Sequence, residues 1–327
     1  MKALVYTAPE SLDYRDADDP VLGEGEALIR VESVGICGSD MHAFLGHDER
    51  RPAPLILGHE AAGTVVAGPN VGRRVTINPL VTDPTSHASQ SGRENLCPAR
   101  QIISMPPREG AFAGYVAMPL TNLVTVPDDV SLDKAALAEP IAVSWHAARL
   151  GLEALHPADE RRAHVIGGGA IGLAAVLALR AMGVEQVTLA EPNAERATYL
   201  TETCNITINN VPVDGTVPLV VDAVGYTATR AAASALVSPG GVIMHIGLGS
   251  SDGGLDIRRI TLQEITFIGT YTYTMQDFRD TCAAIFDGRL GPLDWTEMRA
   301  LSDGARAFQD IREGRVAAPK IILKPVH

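Results

Sequence analysis

The rhythm of apolar and polar positions changes twice along the chain. Over the first 120 residues short β-type runs, broken by Gly and Pro, recur at Lys2 to Tyr6, Ala27 to Val34, Gly63 to Ala67, Arg74 to Ile77 and Ala113 to Met118. They predict an irregular, mostly β region. Between Ser131 and Gly151 the chain becomes rich in Ala and Leu, with Ser131 placed to cap a helix and Gly151 to stop it. That helix is expected to connect two domains. From Ala163 the pattern alternates. Strands are predicted at His164 to Gly167, Gln186 to Ala190, Leu219 to Ala223 and Val242 to Ile246. Between them fall helices ending near Gly183 and spanning Asn193 to Thr203 and Thr227 to Val237. Such alternation builds right-handed βαβ units on a parallel sheet, so the second domain is expected to be doubly wound α/β. After Thr270 come two amphipathic helices, Met275 to Asp287 and Gly304 to Glu313, and a last strand, Lys320 to Lys324.

Composition narrows the classes of function. A chain of 327 residues, 46% hydrophobic and 20% charged, affords a packed core and two domains. Lys and Arg number 27 against 39 Asp and Glu, a net charge of −12 with no basic run, which weighs against nucleic acid as a partner. No apolar stretch approaches the ~20 residues of a bilayer helix, and no apolar leader follows Met1, so a cytoplasmic protein without a membrane partner is expected. The four cysteines, Cys37, Cys97, Cys204 and Cys282, form no CxxC pair, so a special cysteine here would be a ligand or a nucleophile.

Two sets of residues carry candidate chemistry. His164-Val165-Ile166-Gly167-Gly168-Gly169-Ala170-Ile171-Gly172 sets GxGxxG between a strand and a helix. Gly167 permits the tight turn, Gly169 lets the backbone approach a pyrophosphate, and Gly172 allows the helix to pack on the strand. Phosphates would then sit on a helix N-terminus, where N–H groups and the dipole favour anions. Glu191, nineteen residues past Gly172 at the end of the next strand, is placed to accept the adenosine-ribose hydroxyls and to repel a 2′-phosphate, favouring NAD over NADP. Arg196 is a nearby cation that offsets part of that repulsion, and Glu191 also reads as a cap for the helix near Asn193. The second set is Gly35-Ile36-Cys37-Gly38-Ser39-Asp40-Met41-His42 with Gly58-His59-Glu60-Ala61-Ala62-Gly63. Thiolate, imidazole and carboxylate suit Zn²⁺, and three protein ligands with an open position are the catalytic pattern. Taken singly, Cys37 reads equally as a small buried hydrophobe and His59 as a hydrogen-bonded histidine.

These two segments, the glycine turn and the tail Lys320-Ile321-Ile322-Leu323 resemble the zinc-dependent medium-chain dehydrogenase/reductases, the alcohol dehydrogenase superfamily, from Met1 to Pro325. Ala138-Glu139-Pro140 is similar to the polyol branch that includes sorbitol, threonine and butanediol dehydrogenases. The resemblance implies an α/β chain: a GroES-like, mostly β catalytic domain from 1–143 and 271–327, and a Rossmann NAD-binding domain, a doubly wound parallel sheet, at 144–270. It implies one catalytic zinc per subunit, with Cys37 and His59 as ligands and Glu60 and Glu139 completing the site directly or through water. The apolar residues on both sides of Glu139 suggest burial, and a buried carboxylate needs a cation; a solvated helix charge is its other reading. Asp40 resembles the carboxylate that orients the ligating histidine. Ser39 matches the hydroxyl that takes the alcohol proton and His42 the relay histidine, although turn and surface roles suit them too. The implied reaction passes hydride between a secondary alcohol or polyol and NAD, in a homodimer or homotetramer often joined at sheet edges. A zinc-free quinone or enone reductase and a non-catalytic relative are the other readings of this fold.

The sequence also departs from the family. Many relatives hold a structural zinc by CxxCxxC and a fourth Cys; counting back from Cys97, those positions are Ser89, Ser86 and Asp83. One thiolate remains, so no structural zinc is expected and the lobe must be held by packing, hydrogen bonds or a subunit contact. The connections Val71 to Val75 and Asn205 to Pro218 are short. Gly38 stands where some relatives carry a pyrophosphate-binding arginine. Lys320 is the candidate replacement cation, its other reading being an exposed charge at a strand start.

Overall fold

The computed structural model describes residues 1–210 and 215–326. It divides into two units: Met1–Glu139 with Thr274–Asp287 and Thr296–His327, and Pro140–Tyr273 with Gly288–Trp295. The division falls in the first turn of a helix, and the short segment 288–295, expected with the catalytic domain, groups with the second unit.

In the first unit a seven-stranded sheet carries the site. Its order is Leu123–Thr125, Arg74–Ile77, Glu60–Ala67, Glu26–Gly35, Lys320–Lys324 and Thr296–Ala300, with Tyr115–Pro119 also paired to Glu26–Gly35. Strand Glu26–Gly35 alternates, burying Ala27, Ile29 and Val31, as a sheet with one covered face requires. Its last residue pairs Gly35 with Glu60, while Ile322 pairs with Gly35 from the other side. Register therefore brings the start of Glu60–Ala67 and the start of Lys320–Lys324 to one end of the central strand. Two smaller antiparallel sheets, one of Ser11–Asp16, Lys2–Ala8 and Leu55–Ile56 and one of Leu80–Val81 with Gln101–Ile102, complete the unit's strand layers. Phe44 and Phe112 both pack on Phe308, at ring separations of 5.3 and 5.9 Å.

The second unit holds five parallel strands in the order Gln186–Ala190, Arg162–Ile166, Val217–Asp222, Val237–His245 and Thr266–Gly269. Ile208 makes one parallel bridge to Leu189. The order is thus that of a Rossmann sheet whose outermost third strand is reduced to a single bridge. The short connection Asn205 to Pro218 leaves little chain for more, and its residues 211–214 lie outside the described residues. Val220, Ile243, Val237 and Ala233 form the core under the sheet. No helix among the described residues is long and apolar enough to cross a membrane.

The helical run after Ser131 differs from its prediction. Ser131 does cap a helix, accepting from the Lys134 N–H, but that helix is only Leu132–Ala135, and a second runs Ala138–Ala154 straight through Gly151. Gly151 is there for packing: a Cβ would stand 2.9 Å from Met244 Cγ and 3.0 Å from Leu219 Cδ1. Strands Ser11–Asp16, Thr266–Gly269 and Thr296–Ala300 lacked the buried alternation that marks a strand, because most of their residues are exposed or half-buried.

One buried group sets a pH limit. His164 on strand Arg162–Ile166 is fully buried; Nδ1 lies 2.8 Å from Thr188 Oγ1 and Nε2 has no partner. Burial pushes its pKa down to about 4. The unfolded imidazole, at about 6.5, takes up a proton first, so no penalty exists above that pH and stability falls as pH drops from about 6.5 to 4, by roughly 3 kcal/mol in the limit. His164→Asn, which keeps a donor toward Thr188, should be less stable at pH 8 yet lose less over this window in urea unfolding midpoints. An unchanged pH slope would assign the acid loss to another group.

Candidate active site

The metal-binding candidates are assembled by one carboxylate. Cys37 precedes the helix Gly38–Phe44, and Asp40 in its first turn accepts from the Cys37 N–H at 2.9 Å. The other oxygen of Asp40 accepts from the Gly58 N–H at 3.2 Å and stands 3.4 Å from His59 Nδ1. Burial opposes ionisation of this fully buried carboxyl, but the His59 ring, the Arg51 guanidinium and the Cys37 N–H outweigh it and hold its pKa below the ordinary range. For His59 burial acts against the charged ring, while Asp40 and the Cys37 thiol more than reverse that and raise its pKa well above the ordinary value. Gly58 sits at φ +90°, where a side chain would be strained, and a Cβ there would meet Phe112 Cδ1 at 2.5 Å.

Cys37, His59 and Glu60 each present a ligand atom, all within 4.8 Å of one another. Glu60 is fully buried; its Oε1 pairs with Lys320 Nζ at 2.7 Å and its Oε2 has no partner. Gly35 is needed here, since a Cβ would fall 2.0 Å from Oε2. An unpaired buried carboxylate oxygen costs on the order of several kcal/mol unless something cationic meets it. A half-buried cysteine sulfur, a buried imidazole and an orphaned carboxylate oxygen that converge in this way are the donor set of a zinc ion, so the residues present fit the metal.

Glu139 is buried in the first turn of the helix Ala138–Ala154 but is not one of this group; its charge acts on Lys320. Lys320 itself is a correction. It is neither an exposed cation nor a charge free for a pyrophosphate: it is buried, donating to Glu60 and to the Ile36 carbonyl at 2.9 Å. Burial works against its charge, but Glu60, Cys37 and Glu139 prevail and raise its pKa. The sequence could not reveal this, because the pairing comes from register between strands 260 residues apart. Ser39 Oγ lies 3.4 Å from His59 Nε2, and His42, one helical turn on, is exposed. Ser104, which no motif marked, lies 3.2 Å from His59 Nδ1.

In the second unit the glycines of the strand-to-helix turn serve three ends. Gly167 adopts φ +98°, and its Cβ would strike Val224 Cγ2 at 2.3 Å. Gly169 caps the helix Ala170–Ala181 and faces open space, as close approach of a phosphate requires. A Cβ on Gly172 would lie 1.7 Å from the Gly167 carbonyl oxygen, so the helix packs on the turn itself. Glu191 stands beside them: Oε2 accepts from the Gly168 N–H at 2.9 Å and Oε1 from the Asn193 N–H at 2.8 Å. Asn193 in turn caps the helix Ala194–Cys204 through the Arg196 N–H. Sequence reading missed Asp222, fully buried at the end of Val217–Asp222, which accepts from Val224 N–H, Gly225 N–H and Thr229 Oγ1 and so shapes the neighbouring turn. A carboxylate at a strand end, three residues before Gly225, was the available signal.

The positions of the family's second metal also converge. Ser89 Oγ donates to the Asp83 carbonyl at 2.6 Å and Ser86 Oγ to Ser89 Oγ at 2.9 Å, while Cys97 is buried with its pKa lowered first by the Ser86 hydroxyl. Glu94 of this lobe accepts from the Met275 N–H at 2.5 Å. Hydrogen bonds occupy these positions, one of the means the sequence left open.

Residues 23–128 match the alcohol dehydrogenase GroES-like domain and residues 170–287 the zinc-binding dehydrogenase domain. A sorbitol dehydrogenase of Bacillus subtilis (strain 168) is 33% identical over 84% of this chain and 82% of its own. An L-galactonate-5-dehydrogenase of Escherichia coli (strain K12) is 28% identical over 89% and 88%. Among solved structures, an alcohol dehydrogenase from Thermus sp. ATN1 superposes with a TM-score of 0.88 at 25% identity, covering 100% of both chains. The chain belongs to the zinc-binding medium-chain alcohol dehydrogenase family. Within it, its similarity runs to the branch of the polyol dehydrogenases, named for sorbitol, xylulose and idonate.

Two contrasts follow from this geometry. Gly169→Ala should leave stability near wild type, since its Cβ meets nothing, yet weaken dinucleotide binding in calorimetry. Gly172→Ala should unfold more readily by 1–3 kcal/mol or more, because its Cβ displaces a backbone carbonyl. Lys320→Met strands the Glu60 carboxylate and should cost about 3 kcal/mol in chelator-treated protein, but less with zinc bound. Equal losses in both states would show that Glu60 does not face the ion.

Proposed function

We propose that this chain passes hydride between a secondary hydroxyl of a polyol or simple alcohol and NAD at one zinc site per chain. The observation that carries the reading is Glu60 Oε2, buried and unpaired beside the Cys37 thiol and the His59 ring. Zinc, when bound, supplies Lewis acidity that lowers the pKa of a coordinated alcohol, and NAD supplies the hydride acceptor. Cys37 and His59 hold the ion and Glu60 balances its charge, with Glu139 and Lys320 setting the charge behind it. Asp40 ties the Cys37 and Gly58 turns together and sets its negative charge beside the His59 ring. Ser39 receives the substrate proton at Oγ and passes it to His42, whose exposure delivers it to water. Gly167, Gly169 and Gly172 cradle the pyrophosphate. Glu191, held by the Gly168 and Asn193 N–H groups, meets the ribose hydroxyls and disfavours a 2′-phosphate, with Arg196 at the same helix start.

A polyol substrate is supported by the names of the relatives, sorbitol and L-galactonate dehydrogenases among them. We assign the chain to the cytoplasm, in keeping with four free cysteines. A homodimer or homotetramer is supported by the strand Thr266–Gly269, whose outer edge has no partner strand among the described residues and whose Phe267 is exposed.

Metal analysis of the purified protein should give one zinc per chain. Cys37→Ser should lose that zinc and all NAD reduction across a panel of sugar alcohols, diols and hydroxy acids. Ser39→Ala should keep the zinc and lose about 10²–10⁴-fold in kcat. Light scattering on the same sample should give a mass of two or four chains. Full turnover of quinones or enones by metal-free protein would overturn the proposal.

A further inference from the structure

Ser104 combines three unusual properties. It is fully buried, its backbone sits in the left-handed region at φ +71°, and its hydroxyl lies 3.2 Å from His59 Nδ1. A non-glycine residue at such a φ costs on the order of 1 kcal/mol and persists where its surroundings impose it. Here a buried guanidinium imposes it: Arg51 Nε donates to the Ser104 carbonyl at 3.1 Å, and Arg51 Nη1 is clamped by Asp48 Oδ2 at 2.5 Å. The strain thus has one evident product, the aim of the hydroxyl at the ring.

That aim decides which group holds the ring. An imidazole bound to metal through Nε2 carries its proton on Nδ1 and needs an acceptor there. Asp40 Oδ1 stands at 3.4 Å, beyond the ordinary 2.7–3.2 Å of an N–H···O bond, because its carboxylate is also committed to Cys37 N–H and Gly58 N–H. Ser104 Oγ is within that range. Asp40 supplies the nearby negative charge, and the hydroxyl supplies the directed bond.

We propose that Ser104 is a positioning residue for His59: its hydroxyl accepts the Nδ1–H, fixing tautomer and ring rotation so that Nε2 faces Cys37 and Glu60. The role rests on the zinc reading of that cluster. It also gives a reason for serine, rather than glycine, at a φ that glycine adopts at no cost.

Ser104→Gly and Ser104→Ala separate positioning from packing. Both remove the hydroxyl, but only glycine relieves the backbone. Zinc retention, measured by competition with a chromogenic chelator on the full chain, should weaken tenfold or more in both. The metal-free thermal midpoint of Ser104→Gly should equal or exceed that of wild type. In cobalt-loaded protein the visible bands should shift in both variants, reporting a turned ligand. Zinc affinity and cobalt spectra unchanged in both variants would overturn the proposal, as would affinity that simply tracks the thermal midpoint. Wild-type protein that takes up no zinc would overturn the metal reading itself, before any variant is compared.

Discussion

The catalytic unit depends on the buried carboxylate of Asp40. Its two oxygens reach the Cys37 N–H, the Gly58 N–H and the edge of the His59 ring, and thereby hold together two loops that the sequence separates by about twenty residues. Neither loop has enough regular structure to place a ligand alone: one opens a seven-residue helix, the other precedes the strand Glu60–Ala67. The carboxylate stays ionised in spite of burial because each neighbour it organises is a donor or a cation. Placement of the two loops and stability of the charge are thus one interaction seen from two ends.

Behind that arrangement lies a second buried charge pair, built by strand register. Gly35 faces Glu60 across one ladder, and Lys320 begins the strand on the other side. Lys320 neutralises one oxygen of Glu60 and leaves the other for a cation, so the sheet delivers a carboxylate that is half satisfied. A half-satisfied buried group is costly in an ordinary core. At a metal site it is the means by which binding energy becomes available.

Much of this was legible in the chain. Strands Arg74–Ile77, Gln186–Ala190 and Lys320–Lys324 fall where hydrophobic pattern places them, and the glycine turn and Glu191 meet as spacing requires. Cys37, His59 and Glu60 also come together as their residue types suggest. What escaped had physical reasons. The role of Lys320 arises from pairing of distant strands, which no local pattern encodes. Gly151 looks like a helix stop, and only tertiary crowding by Met244 and Leu219 explains it. Ser104 is a small polar residue before two prolines, a usual turn signature, and its significance lies in a dihedral angle and a neighbour.

The lobe around Cys97 has its own consequence. Hydroxyls and main-chain groups of Asp83, Ser86 and Ser89 knit it together, and Glu94 anchors it to the start of a distant helix. A cluster of thiolates round an ion comes apart when oxidants or scavengers claim sulfur or metal, whereas alcohol and amide bonds are indifferent to both. The bonds that knit this lobe are therefore of a kind that neither oxidant nor metal scavenger attacks, unlike the thiol that stands with His59 and Glu60.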